Sequence, residues 1–391
     1  MTNETDEYLP DQQEDASDLK LPPDWYSGAT LWSTDWTTET IVSQLKRGNI
    51  NLNPRFQRRN AWTSDRASLL IESLILGLPV PQIILAEEKG KKGSFIVIDG
   101  KQRLIALRKF AADGASEEFS QLRLSGLTDR RELNGLSYSA LQSRPDLQED
   151  LNSFDNQTIR TVVIRGWTDE QYLYSVFLRI NSNSVQLSPQ ELRQALHQGP
   201  FSNYIDDFST TCAPLKKALK LDAPDFRMRD VELILRYFAY RNFAYKYPGD
   251  LKKFLDQTID EINKSWEILK EEIFEQSRQF ELALNAIHEI FGSGELRKWN
   301  GDRYEKPINR AVFDIMVYYL SDDETRAKAL NLPGEVKASF EKLCVENRDF
   351  ISSLELTTKS LPANAKRFKT WATTLSQVLD MEVRAPINTL F

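Results

Sequence analysis

The run Phe95-Ile96-Val97-Ile98-Asp99-Gly100-Lys101-Gln102-Arg103 has the residue types and order of an anion-binding turn. An apolar strand meets a glycine and then a helix start. Gly100 lets the backbone turn sharply and admits a ligand close to the main chain. The first helical amides beyond it, from Lys101 to Leu104, have no intrahelical acceptor, and the helix dipole favours negative charge in front of them. Lys101 and Arg103 add positive charge, and a guanidinium can hold phosphate through two parallel hydrogen bonds. Asp99 could hold a metal ion, orient a water, or accept from a ribose or base. Gln102 could position an attacking water. A plainer reading also fits: Asp99 caps the helix and the next three residues form a solvated first turn.

Two further segments have suitable chemistry. Asn53-Pro54-Arg55-Phe56-Gln57-Arg58-Arg59-Asn60-Ala61-Trp62 sets three arginines and a glutamine between aromatics, which suits phosphate and base contact, or equally a solvated loop anchored by Phe56 and Trp62. In Phe177-Leu178-Arg179-Ile180-Asn181, Arg179 and Asn181 would face outward at a helix end, unless Asn181 simply ends that helix in a left-handed conformation. Other chemistries are missing. No G-x-x-x-x-G-K-[ST] loop occurs, and Gly90-Lys91-Lys92-Gly93-Ser94 reads as a hairpin turn. The two histidines, His197 and His288, are far apart, which argues against a His-Cys zinc site and a His-based nuclease. The segment from Arg236 to Tyr247 mixes bases and aromatics and could stack on single-stranded nucleic acid, though such a pattern is more often core with snorkelling cations.

These residues need a frame. Residues 36–48 predict a helix capped by Thr37 or Thr38 and stopped by Gly48. Ile50–Asn53 predicts a short strand before Pro54. Residues 64–76 predict an amphipathic helix with Ser64 as cap and Gly77 as stop. Pro81–Ala86 and Ser94–Ile98 predict a hairpin, and Arg103–Ala112 a helix ending at Gly114. A looser region follows, with a short helix near 138–151. Thr158–Arg165 is rich in β-branched residues and predicts a strand. Residues 169–181 predict a helix. Residues 188–198 predict another, with Ser188 as N-cap, Pro189 in the first turn, Glu191 completing a capping box and Gly199 stopping it. The remainder predicts helices. In 252–275, Leu255, Ile259, Ile262, Trp266, Leu269 and Ile273 step by four and three.

The length of 391 residues predicts two or three domains. No stretch approaches the roughly 18 apolar residues of a membrane span, and the acidic N-terminus lacks the apolar core of a signal peptide. Two distant cysteines, Cys212 and Cys344, predict neither disulfides nor zinc and fit a reducing cytoplasm. The net charge is −7, yet the first twenty residues hold seven acids against Lys20 and so account for −6 of it. Bulk charge therefore does not decide for or against nucleic acid, and residues 1–24 read as a disordered acidic tail.

Four motifs occur in an order that resembles the domain of unknown function 262 family, which includes the N-terminal half of GmrSD-type restriction enzymes and is similar to the ParB/sulfiredoxin fold. The family's Asp-Gly-Gln-Gln-Arg box after a strand is here Asp99-Gly100-Lys101-Gln102-Arg103. A proline–aromatic–Gln-Arg element before a tryptophan is matched by Pro54-Arg55-Phe56-Gln57-Arg58 and Trp62. A helix end is matched by Ser73-Leu74-Ile75-Leu76-Gly77-Leu78-Pro79-Val80-Pro81. A Phe-x-Arg-x-Asn turn followed by Leu-Ser-x-x-Glu-Leu-Arg is matched by Phe177–Asn181 and Leu187–Arg193. The resemblance covers 35–200. It implies a ParB/sulfiredoxin-like mixed-sheet domain at 25–187; with the helical segments that follow, which predict an all-helical domain at 188–391, the chain reads as α+β, the capped helix opening the second domain or bridging the two.

For function, the resemblance implies nucleotide binding, often with NTP hydrolysis, in bacterial defence against phage or foreign DNA. The expected phosphate site comprises Gly100, Lys101, Arg55, Gln57, Arg58, Arg179 and Asn181, with Asp99, Gln102 and Arg103 acting on a Mg²⁺-bound NTP. Lys101 stands where the family has glutamine. No His-rich nuclease domain follows, so cleavage would belong to a separate nuclease subunit. DNA and a second copy of the chain are further expected partners, and a membrane is not. The alternatives are a non-enzymatic DNA-binding or partner-docking subunit and, less favoured, a metal-dependent nuclease built on Asp99.

Overall fold

Runs of β-branched and large apolar residues form the strands, and their neighbours in space differ from their neighbours in sequence. The computed structural model describes residues 28–52, 62–112, 119–168, 172, 173, 176, 180, 188–356 and 358–387. The acidic tail, the arginine-rich loop at 53–61 and most of the expected helix at 169–181 lie outside the described residues. Two compact units emerge, dividing between Leu196 and His197.

The N-terminal unit contains β1 (Thr30–Thr37), α1 (Thr38–Lys46), α2 (Ser64–Ile75), β2 (Ile83–Glu87), β3 (Phe95–Asp99), α3 (Lys101–Phe110), α4 (Tyr138–Gln142), α5 (Gln148–Asn156), β4 (Thr158–Arg165) and α6 (Pro189–Leu196). The four strands form one mixed sheet in the order β1-β4-β2-β3. β1 runs antiparallel to β4 from Thr30↔Arg165 to Thr37↔Thr158, β4 runs parallel to β2, and β2 pairs antiparallel with β3 around an irregularity at Ile84/Leu85. The expected mixed-sheet α+β class is therefore present.

Alternation along β4 shows how the sheet is covered. Ile159, Thr161 and Val163 are buried on one face. On the other, Ile164 joins Ile84, Ala86, Ile96 and Ile98 in a cluster closed by Trp167, Tyr172, Leu173 and Leu192. Leu192 belongs to α6, so the capped helix packs on the sheet. Ser188 and Glu191 exchange hydrogen bonds as its capping box: the Glu191 amide donates to Ser188 Oγ (3.1 Å) and the Ser188 amide to Glu191 Oε2 (2.8 Å).

Several expectations shift by small amounts. α1 starts at Thr38 with Thr37 as its cap, and α2 is capped by Thr63 instead of Ser64. α3 begins at Lys101, two residues earlier than the spacing predicts. Ile50 forms only an isolated bridge to Phe95. β1 has no counterpart in the sequence reading. It is an edge strand, largely exposed, with Leu31 at 64% and Trp32 at 55%. An edge strand of that kind shows no apolar alternation to detect.

The C-terminal unit is helical: α7 (Pro200–Thr211), α8 (Ala213–Leu219), α9 (Arg229–Phe243), α10 (Leu251–Lys264), α11 (Trp266–Phe291), α12 (Arg310–Leu320), α13 (Asp323–Asn331), α14 (Pro333–Glu346), α15 (Arg348–Glu355) and α16 (Leu361–Leu379). The single helix expected over 252–275 is two helices that part at Ser265, where ψ is 16°. The apolar step of three and four continues across the break, so spacing alone does not register it. Arg236, Tyr237, Phe238 and Tyr240 are buried. Arg236 grips Asp314 of α12 through Nε (2.8 Å) and Nη2 (2.5 Å), and Arg367 reaches the same carboxylate at 3.3 Å. The start of that basic–aromatic segment is thus core, as its commoner reading has it. No helix among the described residues is long and apolar enough to cross a membrane.

Candidate functional site

β3 delivers Asp99 to the end of the sheet, and the chain turns there on Gly100. Its φ of 95° and ψ of 11° lie in the left-handed region that an L side chain resists. Space is also short. A Cβ on Gly100 would stand 3.1 Å from Ile83 Cγ1 and 3.3 Å from Arg103 Nη2. Among the described residues no side chain caps α3, and its first intrahelical bond runs from the Leu104 amide to the Gly100 carbonyl (3.0 Å). Helix geometry leaves the amides of Lys101, Gln102 and Arg103 at the open end.

Arg103 folds back over this turn. Its Nη2 donates to Asp99 Oδ2 (2.8 Å) and to the Gln82 carbonyl (2.9 Å), which ties α3 to the residue just before β2. Arg103 Nε is shielded from solvent and makes no hydrogen bond among the described residues. Gln102 Oε1 is in the same condition. A buried donor and a buried acceptor on adjacent residues, beside the open end of a helix, are groups that a bound polar molecule would satisfy.

Lys101 points elsewhere. It is 5% exposed, and its ammonium forms a buried ion pair with Glu191 Oε1 on α6. Glu191 therefore has two roles: one oxygen completes the capping box and the other meets Lys101. Burial on both sides makes this pair a strut between the strand–turn–helix and α6. Spacing places Glu191 in its cap but does not connect it to the site, since only tertiary pairing brings together residues ninety positions apart.

The structure thus brings together Asp99, Gly100, Lys101, Gln102 and Arg103. Three of these, Gly100, Gln102 and Arg103, border the open helix end. Asp99 is engaged by Arg103, and Lys101 faces inward. Arg55, Gln57, Arg58, Arg179 and Asn181 lie outside the described residues. Among the described residues no cluster of three or more His, Cys, Asp or Glu side chains could hold a metal ion.

Comparison with known proteins gives one match. Residues 38–198 fit the family model of the GmrSD restriction endonuclease N-terminal domain, a span that runs from the first residue of α1 to just beyond α6. No curated protein and no solved structure matches the chain. The motif order and this match agree: over residues 38–198 the chain is similar to the GmrSD-type restriction-enzyme N-terminal domain.

Proposed function

We propose that this chain is a component of a restriction-type defence system and that its N-terminal domain binds the phosphates of a nucleotide at the open end of α3. The carrying observation is Arg103. Its guanidinium is fixed beside Gly100 by Asp99 and the Gln82 carbonyl, while Nε keeps a donor that is unused among the described residues. The helix-end amides would take phosphate oxygens, Arg103 would neutralise charge, and Gln102 would accept from a water or a hydroxyl. Lys101 acts through Glu191 as a positioning residue. Phosphoryl transfer needs little beyond such positioning and charge compensation. Asp99 is the carboxylate at hand for a Mg²⁺ ion carried in by an NTP, which would supply further charge neutralisation. DNA is the expected target of the system, with cleavage assigned to a separate nuclease subunit.

The pairing of Asp99 with Arg103 favours a second reading, in which nucleotide is bound but not hydrolysed. The two are separated by titrating the whole protein calorimetrically with ATP, GTP, CTP and their deoxy forms in Mg²⁺ and following phosphate release in the same samples. Arg103→Ala is expected to weaken binding by about tenfold or more, near the 1.4 kcal/mol of one charged contact. Arg103→Lys keeps the charge without the fork and should fall between. Release of phosphate marks an enzyme, and binding without release marks a switch. An intact protein that binds none of these nucleotides would remove the reading altogether.

A further inference from the structure

A cavity lined by charged side chains lies in the helical unit. It is about 640 Å³, and Lys220, Arg297, Arg303 and Lys306 line it against a single carboxylate, Glu305. That carboxylate is taken up by Lys298, 2.7 Å away. The cavity has a built floor. Arg297 is 5% exposed, and its guanidinium donates to the carbonyls of Ser293, Glu295 and Lys306 at 2.9–3.2 Å, closing the segment between α11 and α12 on itself. The Tyr304 ring lies so close over Gly294 that a Cβ there would meet it at 2.3 Å. The rim turns at Asn300, whose Oδ1 accepts from the Asp302 and Arg303 amides (3.0 and 2.9 Å).

The backbone around it is strained as well. Of the non-glycine residues with positive φ, Lys220 (55°) lines the cavity and Leu296 (58°) immediately precedes Arg297. Such conformations persist where surrounding structure holds them, and they concentrate at binding sites. Arg303 is exposed and forms no ion pair among the described residues. Four cations, one neutralised acid and an aromatic wall define the ligand: several negative oxygens on one side and a flat or apolar group on the other.

We infer that this cavity is a phosphate site of nucleotide size, independent of the site at Gly100. The phosphate belongs to a free nucleotide or to a nucleic-acid strand threaded past the rim. The test uses the full chain with ADP and inorganic pyrophosphate, by calorimetry, and a fluorescein-labelled oligothymidylate, by anisotropy. R303E/K306E changes two side chains that line the cavity. It is expected to weaken binding of the preferred probe by about tenfold or more through lost charge neutralisation. R303Q/K306Q should give a smaller loss, and circular dichroism checks that both variants stay folded. In an Arg103→Ala background, which weakens the site at Gly100, R303E/K306E should still remove the binding that remains, so failure here and failure of the N-terminal reading are told apart. A loss seen with ADP identifies a free nucleotide. A loss seen only with the oligonucleotide, with a shallower salt dependence in the variant, identifies a strand. Binding of every probe to R303E/K306E at the intact protein's affinity, or no binding of any probe to the intact protein, overturns the inference.

Discussion

A lysine that is 5% exposed is stable only against a counter-charge, and Glu191 supplies it. Removing one partner strands the other charge in a poorly solvating interior, which costs about 3–5 kcal/mol, whereas removing both often costs little. Lys101→Met should therefore lower stability by roughly that amount, read as a shift in the urea midpoint. Pairing it with Glu191→Gln, which keeps an acceptor for the Ser188 amide, should restore most of the loss. The double variant also tests the role of Lys101. A residue that acts only as a strut predicts nucleotide affinity close to that of the intact protein. A large loss of affinity in a protein that has regained its stability would put Lys101 on the phosphate after all. Residue types and spacing locate the box, but the direction of each side chain is set by tertiary partners. For Lys101 that partner is visible in the sequence only as a helix cap.

Elements are legible where the sequence carries local instructions and escape notice where it does not. β4 spans the eight residues that its β-branched run predicts, the β2–β3 hairpin falls on its two apolar runs, and the capping box of α6 is made by the two residues expected. β1 is invisible because its exposure hides any alternation, and the break at Ser265 because an apolar stripe can cross a bend. The order β1-β4-β2-β3 cannot be read either, since strand pairing is a long-range property. Gly100 belongs to this scale. Its left-handed φ and the contact with Ile83 make Gly100→Ala costly on two counts. The expected loss is about 1–3 kcal/mol, accompanied by displacement of Arg103. Thermal unfolding measures the first effect, and the nucleotide titration measures the second. An alanine variant with unchanged melting and binding would mean that neither the turn nor the close approach constrains the site.

At the scale of the molecule, the helical unit holds ionisable groups where burial disfavours their charged forms. Burial pushes the Cys212 and Cys344 thiols from 9.0 up to about 12, and the Tyr237 and Tyr240 hydroxyls from 10.0 up to about 12. A group whose pKa is raised on folding stabilises the fold fully below its unfolded pKa, and that contribution is lost as pH rises through the folded value. Stability of the helical unit should accordingly hold to about pH 9 and then fall steadily towards pH 12, followed as the urea midpoint against pH. At about pH 8, below that window, both thiols should resist Ellman's reagent in the native state and react once the chain unfolds. Rapid labelling of the folded protein at pH 8 would contradict the burial assigned to them.

The strut between Lys101 and Glu191 also imposes an order on biosynthesis. A ribosome releases Gly100 and the whole of α3 well before it has added the residue that balances the buried ammonium. β2 waits in the same way for β4, its partner on the inner side of the sheet, until Arg165 has emerged. During that interval the nascent chain carries the strand–turn–helix at Gly100 without the counter-ion that steadies it. The buried ion pair of this turn is therefore completed late in the domain's synthesis, and a chain that stopped at Leu187 would contain every letter of the box and lack the carboxylate that holds it in place.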